Sequence, residues 1–137
     1  APKAHLTAAI WNWNVYYRTA MEAAMSCGGA ENFVSAMGTP AYYGGLAEGF
    51  VDVSPLSENC AAGTQEIVDE VKALIISGEW DVFSGTKLEI VDGVVSQVEA
   101  PLMDNAGNEI VAAGGASVED GVITGTMNYY VAGVQEA

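Results

Sequence analysis

The chain has 137 residues, half of them apolar, with eighteen acidic side chains against four basic ones and a net charge of −14. That length suits one ordinary domain with a core, and that composition excludes a disordered tail. The charge argues against a nucleic-acid ligand, whose phosphates need Lys and Arg, and against an anionic membrane surface.

"HLTAAIW", His5 to Trp11, is short and apolar and reads as a buried strand. "NVYYRTAMEAAM", Asn14 to Met25, reads as a helix capped by Asn14, with Tyr17, Met21, Ala24 and Met25 as its core face. Gly28 and Gly29 end it. Gly38 to Gly49 is a Gly-rich loop carrying Tyr42 and Tyr43, and "FVDV", Phe50 to Val53, is a short strand. After a second loop, Thr64 caps the clearest helix, "QEIVDEVKALIIS", whose buried stripe is Ile67, Val68, Val71, Leu74 and Ile75. "EWDVFSG" follows as a strand. Leu88 to Val98 is a hairpin turning at Asp92-Gly93. "DNAGNEIV" gives a turn and a short strand. "SVEDGVITG" is a weak helix with Ser117 and Asp120 near a capping box, and "MNYYVAGV" is a closing strand. This alternation predicts an α/β fold with helices packed on a sheet.

The catalytic inventory is thin. His5 is the one histidine and has no evident partner. No nucleophile elbow, zinc-helix motif or phosphate-binding glycine loop is present. "DNAGNE" lacks the spacing of an EF-hand loop and reads as a plain turn. Cys27 and Cys60 form no paired-cysteine motif, so a zinc or redox site is disfavoured, and they read either as a disulfide between loops or as two separate thiols. Neither an enzyme nor a cofactor is predicted.

What remains is aromatic and amide. "IWNWN" places Trp11, Asn12, Trp13 and Asn14 at a strand-to-helix junction, where ligands settle in open α/β sheets. Aromatic faces stack on planar ligands, and amides pair with ring nitrogens and exocyclic groups. Strand alternation sets Trp11 and Trp13 on one side and Asn12 on the other. The plain alternative is that one tryptophan only packs beneath the following helix. The candidate ligand-binding residues are Trp11, Asn12 and Trp13, with Tyr43 and Gly44 from the Gly-rich loop, around an uncharged flat ring.

"HLTAAIWNWNVYY", "YYGGLAEGFVDVSPLSE", "IVDEVKALIISGEWDVFSG", "PLMDNAGNEIV" and "MNYYVAGV" resemble, in that order, the carboxyl-terminal half of the basic membrane protein (BMP) family, substrate-binding lipoproteins of ABC transporters similar to purine-nucleoside receptors. The resemblance covers nearly the whole chain. It implies a type I periplasmic-binding-protein fold with a Rossmann-like sheet and flanking helices, of which residues 1–137 are a single segment, the C-terminal portion of a two-lobed structure. It implies a purine base or nucleoside held in an interlobe cleft without catalysis, in a lipoprotein at the periplasmic or extracellular face of the membrane. The implied partners are a transporter permease and the N-terminal half of the same protein, or, failing that half, self-association. It favours the Cys27–Cys60 disulfide. The same fold also serves ligand-sensing domains of regulatory proteins, which is the alternative function.

Two departures from the family pattern matter. Where many nucleoside-binding relatives carry a Lys before the first helix, this chain has Trp11 and then Asn12, so the expectation shifts from ribose recognition towards a free base or another flat heterocycle. Between Gly85 and Pro101 the chain inserts a hairpin, about residues 86–100, with no role expected in the site.

Overall fold

A computed structural model describes residues 4–134. The fold mixes helix and sheet, with four α-helices and three two-stranded antiparallel sheets among the described residues. The chain divides into two compact units, residues 1–64 and 65–137.

In the first unit, β1 (Ala9–Trp11) pairs with β2 (Val51–Val53) in antiparallel register, Trp11 opposite Val51 and Ala9 opposite Val53. The pairing runs beyond the strands. Ser57 N–H donates to the Leu6 carbonyl at 2.8 Å, and Asn12 N–H donates to the Phe50 carbonyl at 2.7 Å. The Thr7 hydroxyl also donates to the Ser54 carbonyl at 2.7 Å. The predicted strand is thus shorter than His5 to Trp11, and its residues are largely exposed. The expected parallel, Rossmann-like arrangement is absent among the described residues, because the chain between β1 and β2 reverses direction and brings them together head to tail.

Helix α1 (Trp13–Ser26) starts one residue earlier than Asn14, so Asn12 takes the cap position, without a side-chain capping bond. Its inner face is also rotated from the predicted one. Ala23 is buried, with Tyr16, Thr19, Ala20 and Cys27 half-buried beside it, whereas Tyr17, Met21, Ala24 and Met25 face outwards. The bulkiest residues made the more conspicuous stripe in sequence, but the smaller face permits close approach. A 3-10 turn at Ala30–Asn32 leads into α2 (Phe33–Met37), which packs on α1.

Helix α3 (Thr64–Ser77) matches its predicted stripe, with Ile67, Val68, Val71, Leu74 and Ile75 all half-buried. Thr64 is its first helical residue, and the hydroxyl donates back to the Ala61 carbonyl at 2.8 Å. The hairpin forms as predicted, β3 (Thr86–Val91) with β4 (Val94–Glu99), turning on Asp92 (φ 51°) and Gly93 (φ 80°). β5 (Leu102–Met103) pairs with β6 (Glu109–Val111), and α4 (Asp120–Gly125) follows.

Three expectations in this unit fail. "EWDVFSG" is a run of turns. The Asp81 carboxylate accepts from Phe83 N–H at 2.8 Å, its carbonyl accepts the Ser84 hydroxyl at 2.7 Å, and the Trp80 indole N–H donates to the Thr86 carbonyl at 2.8 Å. These local bonds curl the segment away from an extended ladder. Ser117 does not cap α4; its hydroxyl donates to Asp81 Oδ1 at 2.7 Å, and Glu119 holds the cap position. "MNYYVAGV" makes a single bridge, Asp104 with Val131, in place of a strand.

Candidate functional site

A concave, aromatic-lined pocket of about 370 Å³ lies in the first unit, lined by Trp11, Trp13, Tyr16, Tyr42, Tyr43, Gly44, Phe50 and Val51. Its volume falls in the usual range for small-molecule sites. Trp11 arrives at the end of β1 and Trp13 at the start of α1. The backbone bends between them at Asn12 (φ −88°, ψ 82°), yet both indoles still reach the pocket, with ring centroids 5.7 Å apart and planes at 83°.

Phe50 is the hub. It is 9% exposed and meets Trp13 edge to face at 5.5 Å and Tyr42 edge to face at 5.2 Å. Tyr42 also touches Tyr16 at 5.5 Å, and Tyr16 reaches Trp13 at 6.2 Å, which closes a circuit of four rings. Such near-perpendicular pairs are each worth about 0.5–1.5 kcal/mol beyond area burial. Two backbone bonds hold Phe50 in place: its N–H donates to the Gly45 carbonyl at 3.1 Å, and its carbonyl accepts Asn12 N–H at 2.7 Å.

The turn that delivers Phe50 is itself tied. Gly45 N–H donates to the Glu48 carboxylate at 2.7 Å, and Gly49 N–H donates to the Leu46 carbonyl at 3.1 Å. The bond from Gly45 holds the Glu48 carboxyl below its ordinary range, so the group stays charged. Gly44 forms part of the wall because nothing larger fits. A Cβ there would lie 2.8 Å from Phe50 Cβ and 3.0 Å from Tyr42 Cε1.

Four of the five predicted site residues therefore meet in one place: Trp11, Trp13, Tyr43 and Gly44. Asn12 is not in the lining; its main chain stitches the junction, donating to Phe50 and accepting from Val15 N–H at 3.1 Å. Tyr16, Tyr42, Phe50 and Val51 were missed. Tyr16 lies one turn of helix after Asn12 and Tyr42 beside Tyr43, so spacing offered a hint for both. Phe50 and Val51 reach the site only through the β1–β2 pairing. Trp11 is 64% exposed and Trp13 47%, and Trp13 also packs against Phe50 and Tyr16.

The Asp104 carboxylate accepts Asn108 Nδ2 at 2.8 Å and the N–H groups of Asn108 and Ala106 at 2.7 and 2.9 Å. Its oxygens thus serve the turn, as the sequence suggests. Among the described residues no cluster of His, Cys, Asp or Glu is arranged to hold a metal ion. Cys27 and Cys60 are free thiols facing the Ala24 and Leu6 carbonyls, at 3.4 and 3.7 Å, so the disulfide favoured by the resemblance is not formed. No helix among the described residues is long and apolar enough to cross a membrane. The sequence matches no known family model and no curated protein.

Proposed function

We propose that this chain is the C-terminal half of an extracytoplasmic solute-binding protein of the BMP family, a component of an ABC transporter, and that it binds a purine base or nucleoside without catalysis. The observation that carries the ligand class is the exposure of two indoles on one concave wall. Stacking on a nucleobase is worth on the order of 1–3 kcal/mol per base, which is reason to leave large aromatic faces open to solvent. The hydroxyls of Tyr16, Tyr42 and Tyr43 and the indole N–H groups of Trp11 and Trp13 are the polar side-chain groups of the lining residues that can pair with a base edge. The two-lobed type I architecture belongs to this proposal as well, with the second lobe supplying the opposite wall of the cleft.

Tryptophan fluorescence of the protein titrated with adenine, guanine and inosine tests the reading. Quenching that disappears in Trp11→Ala is expected. No fluorescence response and no thermal shift with any of the three overturns it.

The partner reading has its own support. Tyr17, Met21 and Met25 continue the line of Trp13 along α1, one turn apart, and Met25 is 86% exposed. Apolar stripes of this kind are normally covered. The other lobe of the same protein covers them in this proposal, and the chain alone self-associates. Sedimentation showing a strictly monomeric, well-folded species contradicts it.

A further inference from the structure

The rings around the pocket do more than offer a stacking surface. Trp11 and Trp13 stand at 83°, Trp13 and Phe50 at 89°, and Phe50 and Tyr42 at 81°. Ring faces that turn by nearly a right angle from one residue to the next cannot all lie parallel to a single flat ligand. A ligand in this pocket therefore meets aromatic rings of more than one orientation, the exposed Trp11 and Trp13 among them. A ring that presents its face offers the negative lobe of its quadrupole, which attracts a cation placed within about 6 Å of the ring centre.

Three further observations point the same way. Neither lysine nor arginine is among the residues lining the pocket. The Glu48 carboxylate is fixed on Gly45 N–H, the residue directly after the lining Gly44. The whole chain carries a net charge of −14, which raises the local concentration of cations and repels anions.

One feature opposes this reading. Helix α1 begins at Trp13 with no acidic residue in its first turn, and its amino end carries the equivalent of about half a positive charge. That partial charge is about half a unit against the full negative charge of Glu48, and salt screens both.

We propose that the pocket is an aromatic cage selective for the positively charged, ring-N-alkylated members of the purine class over their neutral counterparts. The inference rests on the purine-type reading of the site and replaces the uncharged ring expected from the sequence with a cationic one. The shared demand is a flat ring for Trp11 or Trp13 to stack upon and a delocalised positive charge for the perpendicular faces to enclose.

Two isomers separate charge from size. 1-Methyladenosine is a cation at neutral pH. Its isomer methylated on the exocyclic amine has the same non-hydrogen atoms and is neutral. Fluorescence titration of the protein with each at pH 7 should show the cation binding about three- to thirtyfold more tightly, the range that a cation enclosed by aromatic faces provides. Added salt and Glu48→Gln, which keeps an acceptor for Gly45 N–H, should both reduce that ratio. Adenosine monophosphate should bind more weakly than adenosine.

Equal affinity of the two isomers, or preference for the neutral one, overturns the inference and leaves the purine reading standing. Tighter binding of the monophosphate shows that the helix end dominates and also overturns it. No response to any of these ligands, nor to adenine, guanine or inosine, removes the purine reading along with the inference.

Discussion

Replacing Gly44 by alanine adds a single methyl group at the tightest point of the aromatic cluster. The new Cβ would stand 2.8 Å from Phe50 Cβ, 3.2 Å from Phe50 Cγ and 3.0 Å from Tyr42 Cε1. Tyr42 is half-buried and can swing aside by rotating its ring. Phe50 cannot, because its Cβ is fixed by the backbone, and the residue's N–H and carbonyl are both bonded, to Gly45 at 3.1 Å and to Asn12 at 2.7 Å. Overpacking costs about 1–3 kcal/mol when neighbours must shift, and the tethered Phe50 puts Gly44→Ala in the upper half of that range. For a unit this small each kcal/mol lowers the melting temperature by roughly 4–8 °C. The assay is thermal unfolding followed by near-ultraviolet circular dichroism, which reads the aromatic cluster directly. Gly45→Ala is the control. Its added Cβ lies 3.5 Å from Glu48 Oε2, an ordinary contact, so its effect should stay within about 0.5 kcal/mol. If the two variants melt alike, Gly44 is not the packing constraint described and Phe50 is not held as argued.

Three other outcomes follow from the structure. Phe50→Ala should cost about 3 kcal/mol or more, as for buried aromatic truncations, and abolish the first unit's near-ultraviolet signal, whereas Trp11→Ala should leave the melt within about 1 kcal/mol of the parent, because the exposed Trp11 ring has one aromatic neighbour among the described contacts, Trp13. Gly85→Ala should destabilise the second unit, since a Cβ there would overlap the Ala112 carbonyl and come within 2.5 Å of Gly115 N; loss of the Trp80 environment with the near-ultraviolet signal of the first unit retained is the expected pattern. Acid should weaken both units. Glu48 is held below its ordinary 4.5 chiefly by Gly45 N–H, and Asp104 below its ordinary 3.8 chiefly by the Asn108 side chain. With folded-state values depressed, the stabilisation is present above those ordinary values and is lost as pH falls through the folded-state ones. Melting temperature against pH should therefore fall less steeply on the acid side in Glu48→Gln and Asp104→Asn than in the parent, and an unchanged slope would refute the assigned bonds.

The sequence by itself determined what depends on near neighbours. The α3 stripe is legible because five apolar residues repeat at helical spacing without a bulkier competitor, and the hairpin is legible because Asp92-Gly93 supplies two residues that tolerate positive φ between β-rich runs. The pocket-lining tryptophans were legible for the same reason, since large aromatics at a strand-to-helix junction are conspicuous in one short stretch. Tertiary structure decided the rest. Antiparallel pairing of β1 with β2 carries Phe50 and Val51 to Trp11 and Trp13 across some forty intervening residues, and no local pattern encodes that partnership. It also turned α1 so that small Ala23, and not Met21 or Met25, lies inside, because a helix packs on the face that allows closest approach. In "EWDVFSG", β-prone residues lost to side-chain bonds from Asp81 and Trp80, whose partners are fixed only once the chain has curled. Periodicity records which residues avoid water, while the choice among apolar faces, and the pairing of distant strands, is made by contacts that exist only in the folded chain.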